Sequence, residues 1–127
     1  MIFVDTNVVM YAVGRAHPLR EPARRIFRDA ANEASRLVTS AEVLQELLHA
    51  YLPVGRRATL DAALALVDGT VREVWPVEAD DVRLARRLAD DHRELRARDL
   101  LHLATCRRRG VREVRTFDRD LAAAFEA

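Results

Sequence analysis

The sequence predicts an α/β protein built around a central parallel sheet of four or five strands flanked by helices. Three observations carry this. Short apolar stretches alternate with helical patterns along the whole chain, which implies parallel strands joined by right-handed crossovers. With 127 residues, half of them hydrophobic and about a third charged, the chain is sized for one soluble domain, spanning 1–127, with a single core. Polar residues stand at the ends of the strand-like stretches, where open parallel sheets place their ligands.

The opening stretch, MIFVDTNVVMYAV, holds ten apolar residues with Asp5 in the middle. MIFVD reads as a short buried strand, and a carboxylate at its end is costly to bury unless something positive pairs with it. EPARRIFRDAANEA reads as a helix, with Pro22 tolerated in its first turn. RLVTS is the second strand, ending at Ser40. SAEVLQELLHAYL follows as a helix whose Leu44, Leu47, Leu48 and Tyr51 form one stripe. In ATLDAALALVD, Leu60, Ala63, Leu64 and Val67 share a face, and Gly69 is placed as the C-terminal stop. VREVWPV is the third strand. DDVRLARRLADDHREL is helical, with Val82, Ala85, Leu88 and Ala89 inward. RDLLHLATCRRRG is a helix ending at Gly110, VREVRTF is the fourth strand, and RDLAAAFEA closes the chain as a helix.

Composition narrows the function classes by exclusion. A net charge of +1 names no partner. All 21 basic residues are Arg, which a GC-rich coding bias accounts for as readily as phosphate recognition does. The single cysteine, Cys106, leaves no intrachain disulfide and no Cys-based metal site, as expected of a protein in a reducing cytoplasm. The N-terminal run lacks the basic flank of a signal peptide, and no window approaches the ~18 apolar residues of a membrane span.

The acids are the informative residues. Asp5 ends the first strand and Asp118 follows the fourth. Asp99 opens a helix on the line of Leu103 and Cys106. Taken alone, Asp99 serves equally as a helix cap. Glu42 and Glu46 both fall away from the leucine stripe. Glu42 has a structural role at hand as the third residue of a capping box after Thr39, whereas Glu46 lies a turn further in. Carboxylates converging at one sheet edge repel one another and raise their pKa values. A hard cation such as Mg²⁺ or Mn²⁺ relieves that repulsion and bridges to phosphate. The four histidines are dispersed without zinc spacing; His102 reads as helix surface or as support behind the acids. The run Arg107, Arg108 and Arg109, with Arg112 and Arg115 beyond it, suits either RNA or the helix dipole, and the dipole alone accounts for it. Only 6% of residues are aromatic, so extensive base stacking is not indicated.

The segments VDTN, TSAEVLQEL, ARDLLHLATCRRRG and VRTFDRDL, in this order and over the whole length, resemble the PIN domain, specifically the VapC-like ribonuclease toxins of toxin–antitoxin pairs. The resemblance implies a three-layer fold and metal-dependent hydrolysis of RNA. It matches the family's four acids to Asp5, Glu46, Asp99 and Asp118. It prefers Glu46 to Glu42 by its distance from Ser40, and Asp118 to Asp120 as the acid nearer the strand. Asp5, Asp99 and Asp118 would hold Mg²⁺, with Mn²⁺ able to substitute. Thr6, Asn7, Ser40 and Thr116 would support the acids. It further implies an RNA substrate, a cognate antitoxin, a homodimer and a cytoplasmic location. A phosphoacceptor receiver domain would need a Lys beside the acids, and there is none. A haloacid-dehalogenase-like phosphatase would need an acid where Asn7 stands. A catalytically silent PIN-like binding module is disfavoured because all four acids are present.

Overall fold

The computed structural model describes residues 1–32 and 36–127. Along the chain run β1 (Ile2–Val4), α1 (Thr6–Val13), α2 (Arg20–Asn32), β2 (Leu37–Ser40), α3 (Ala41–Tyr51) and α4 (Arg57–Thr70). They are followed by β3 (Glu73–Trp75), α5 (Ala79–Leu88), α6 (Ala97–Arg108), β4 (Glu113–Arg115) and α7 (Arg119–Glu126). The strands form one all-parallel sheet in the order β3-β2-β1-β4. The alternation legible in the sequence is therefore the architecture found. Residues 33 and 34, at the end of the first expected helix, lie outside the described residues.

The register sets the site. Val4 pairs with Arg115, and Ser40 with Trp75. Consequently Asp5, Ser40 and the Thr116–Asp118 segment all leave the sheet at its carboxyl edge. The core lies on both sides of it. Phe3, Val4, Val8, Val9, Val38, Val43 and Leu47 are fully buried in the larger cluster. Leu88, Leu95, Leu100, Leu103 and Leu121 form a second cluster beneath α5, α6 and α7. Each such side chain contributes about 1.5–3 kcal/mol of transfer free energy, before the entropy of ordering is set against it.

Four details differ from the sequence reading. The apolar residues after Asp5, which the sequence reading assigned to no element, form helix α1, capped by the Asp5 side chain. Gly69 lies inside α4, which runs on to Thr70 and ends where Val71 turns extended. In α5 the inward line is Asp81, Ala85 and Leu88, while Val82 is 54% exposed; the helix also stops at Leu88, since Asp91 and His92 both turn back onto the Leu88 carbonyl. In α3 the buried line is Val43, Glu46, Leu47 and Tyr51, and Leu48 is 39% exposed. Gly110 does end α6, at φ +70°, a conformation in which a Cβ would be strained.

Arg108 and Arg109 complete the frame. Asp81, fully buried, accepts hydrogen bonds from Arg108 at 2.7 Å and Arg109 at 3.0 Å, and its other oxygen caps the backbone N–H of Glu78. Arg109 also reaches Glu78 and lies over the Trp75 ring, 5.0 Å from its centroid. These two guanidinium groups tie the end of α6 to the start of α5.

Candidate active site

The site is built from the ends of β1 and β4 and the starts of α1, α6 and α7, with one residue from inside α3. The backbone N–H of Asp5 bonds the Arg115 carbonyl at 3.0 Å, extending the β1–β4 ladder by one residue. One Asp5 carboxylate oxygen accepts the Thr6 N–H at 2.7 Å, and the other accepts the Thr116 hydroxyl at 2.7 Å. Thr116 in turn accepts from the Asn7 amide at 3.3 Å and from the Asp118 N–H at 3.0 Å, while Asn7 accepts the Phe117 N–H. Asp118 caps α7 through the N–H groups of Asp120 and Leu121. Thr6, Asn7 and Thr116 thus connect two acids 113 residues apart.

Glu46 enters from α3. It is 9% exposed, inward and not solvated. One of its oxygens accepts the Thr6 hydroxyl, and the other lies 2.8 Å from His102 Nε2. His102, three residues after Asp99 on α6, is fully buried and lies 3.7 Å from Asp5. The surface reading of this histidine is overturned, and it stands behind the acids. The available signal was its spacing, one helical turn from Asp99.

Asp5, Glu46, Asp99 and Asp118 all line one cavity of about 490 Å³, together with Asp120 at its edge. Glu42 does not line it and faces a separate apolar groove beside Val82 and Ala85. The expected capping box at α3 is absent as well. Thr39 donates across the sheet to the Val4 carbonyl at 3.0 Å, and Ser40, the N-cap, makes no side-chain cap bond. Ser40 is buried at the end of β2, its hydroxyl without a partner among the described residues and outside the cavity lining.

Burial pushes the Asp5 carboxyl above its ordinary range, against the charge of His102 and the Thr116 bond. Asp99 is also raised, by burial first and then by the charges of Asp5 and Asp118. Glu46 goes the other way. Burial opposes its charge, but the His102 bond and charge and the Thr6 bond outweigh it and hold the carboxyl below the usual value. Burial alone would lower the His102 pKa, yet Glu46 and Asp5 raise it overall. The donors suit a hard cation, since most are carboxylate oxygens converging without thiolates. Ligand atoms of Asp5, Glu46 and His102 lie within 4.8 Å of one another, a grouping that omits Asp99 and Asp118. Because His102 Nε2 is already engaged by Glu46, we regard the ring as support for the carboxylates and not as a ligand.

A parallel sheet of this order, with carboxylates gathered over its carboxyl edge, defines a class: the chain belongs to the PIN domain family, whose sequence profile matches residues 2–126. Within that family it is a VapC-like ribonuclease. It is 61% identical over 127 residues, the full length of both chains, to Ribonuclease VapC23 of Mycobacterium tuberculosis. It is 41% identical over 119 residues to Ribonuclease VapC13 of the same organism, covering 94% of this chain and 91% of that one. Among solved structures it resembles M. tuberculosis VapC20, described as a sarcin-ricin loop cleaving toxin, with a TM-score of 0.79 and 28% identity over 98% of this chain and 95% of that one. The FitAcB structure from Neisseria gonorrhoeae shares the fold, with a TM-score of 0.70 at 20% identity, over 100% of this chain and 94% of that one.

Proposed function

We propose that this cavity hydrolyses RNA phosphodiester bonds with Mg²⁺ held by Asp5, Asp99 and Asp118, and that the chain is the toxin of a toxin–antitoxin pair. The observation that carries the reading is the convergence of four carboxylates from separate segments in one cavity, two of them with raised pKa values. Like charges gathered this closely disfavour one another's ionised forms, and a cation relieves that repulsion. When bound, the cation supplies Lewis acidity to the phosphate and favours deprotonation of water. Thr116 fixes the Asp5 carboxylate through one oxygen, and the Thr6 N–H fixes it through the other. Glu46, ionised at neutral pH and oriented by Thr6 and His102, accepts a proton from the attacking water at a carboxylate oxygen. Mn²⁺ satisfies the same donors.

The purified chain is expected to cleave RNA with Mg²⁺ or Mn²⁺ and to lose that activity in EDTA. Cleavage that survives chelation in a metal-free preparation would sink the mechanism. Glu46→Gln should lower activity by about a hundred- to ten-thousandfold, the contribution typical of a positioned general base. Glu42→Gln should leave it within about twofold. Gel-based cleavage assays on the pair decide this, and the reverse order would move the second acid one turn back.

An acidic cavity is also a receptor for a partner's arginine, whose guanidinium bonds a carboxylate through two parallel hydrogen bonds. We assign that partner as an antitoxin and expect the toxin to act as a homodimer in the cytoplasm. No helix among the described residues is long and apolar enough to cross a membrane. Co-expression with the product of the adjacent gene should relieve growth arrest; a chain harmless when expressed alone refutes the toxin role.

A further inference from the structure

Of the arginines that the sequence offered to RNA, Arg107, Arg108, Arg109 and Arg112 are at the wrong end of the molecule, and Arg115, at the carboxyl end of β4, does not line the cavity. Helix α6 begins beside the cavity at Ala97 and runs 12 residues to Arg108, about 18 Å at 1.5 Å per residue. Arg108 and Arg109 are bound to Asp81 and Glu78 there. Arg112 precedes β4 and so stands at the amino edge of the sheet.

Arg96 and Arg98 are differently placed. Both line the cavity of the four acids, at the start of α6. Both are exposed, and among the described residues neither takes part in an ion pair. Arg98 is near enough to Glu46 and Glu42 for its charge to favour their ionised forms. The cavity presents six carboxylates against two guanidinium groups. A polyanion approaching it is repelled everywhere except where a cation stands. A cation held by the acids would serve the scissile phosphate, and the neighbouring phosphates of the strand need other positive groups. Guanidinium is suited to this, since its planar fork matches two phosphate oxygens.

We propose that Arg96 and Arg98 form the phosphate clamp of the active site, holding RNA backbone phosphates next to the scissile one. The proposal rests on the ribonuclease reading above and adds the residues that bind the substrate. A merely charge-balancing role, offsetting the acids without touching RNA, makes a different prediction. It affects the stability of the free protein and leaves RNA affinity alone.

The test uses the full chain with Asp99→Asn as background, so that a fluorescein-labelled single-stranded RNA stays intact, and measures affinity against salt. Arg96→Ala and Arg98→Ala should each weaken binding and reduce the slope of log affinity on log salt by about 0.7, the value for one phosphate contact on a single strand. Arg98→Lys should retain most of the slope. Arg112→Ala, at the opposite edge, should change neither quantity. In the active protein the double Arg96→Ala, Arg98→Ala variant should raise KM about tenfold with kcat within twofold. An unchanged slope in both single variants, or an equal loss with Arg112→Ala, overturns the clamp. If the active protein cleaves RNA while these quantities stay unchanged, the clamp alone fails; if it neither binds nor cleaves RNA, the ribonuclease reading fails and takes the clamp with it.

Discussion

Asp99→Asn is expected to lower RNA cleavage by at least about a hundredfold, since a lost ligand should cost no less than the outer groups that orient one. The same substitution should raise the melting temperature of the metal-free protein at neutral pH. Asp99 has a raised folded-state pKa, caused by burial and then by Asp5 and Asp118. For such a group the stabilising contribution is present below the unfolded value of 3.8 and lost as pH rises through the folded value. At pH 7 its charge therefore works against the fold, and Asn removes the charge while keeping the shape. The advantage of the variant should shrink as pH falls towards about 4, where the wild-type carboxyl is increasingly protonated. Melts in EDTA at both pH values, paired with a cleavage assay, make the comparison. A variant that retains full activity refutes the assignment, and one that melts lower at pH 7 refutes the electrostatic account. Asp5→Asn should lose activity equally, but its thermal gain is offset by weaker hydrogen bonds to Thr6 and Thr116.

The largest stability effect is expected far from the chemistry, at Asp81. Asp81→Asn should cost about 3 kcal/mol, the lower end of the range for removing one partner of a buried pair, because Arg108 and Arg109 keep some access to water. Burial opposes the Asp81 charge, but the Glu78 N–H and the two guanidinium groups outweigh it, so its pKa is lowered. The sign is then opposite to that of Asp99. Its contribution is present above the unfolded value of 3.8 and disappears as pH falls through the folded value. Urea unfolding should show the full deficit at pH 7 and a smaller one at pH 3. A loss below about 1 kcal/mol at pH 7 would reduce the network to an ordinary surface pairing.

Most of the sheet was legible because its strands read as short buried apolar runs, and Asp5 and Asp118 stood out at the ends of two of them; Glu46 and Asp99, which lie within helices, were matched to the acid set by resemblance. The failures have local causes. Val8 and Val9 are β-branched and continue the apolar run past Asp5, so periodicity did not mark α1 as a helix; the Asp5 cap does. Val82 looked inward because its neighbour Asp81 was assumed to face water. Asp81 takes the inward position because two arginines approach it from α6, a contact between distant segments that local pattern does not contain. Glu46 was misplaced on its helix for the same reason. A buried glutamate is disfavoured until Thr6 and His102, 40 and 56 residues away, are known to bond it. Its role came from family resemblance, and not from the helix pattern. Gly69 was read as a stop, yet nothing lies within 4 Å of where its Cβ would be, and the helix passes through it.

The pairing of β1 with β4 has a consequence for how the protein is made. The first strand of the chain cannot gain its second neighbour until residues 113–115 exist. Thr116, which orients Asp5, and Asp118 come later still. Chains emerge from synthesis N-terminal end first, so Asp5 is made well before Thr116 and Asp118 and is left without them until β4 has followed. A growing or truncated chain therefore carries an incomplete set of acids. The order of the strands keeps the site from assembling on the nascent polypeptide until β4 and the residues after it have been made.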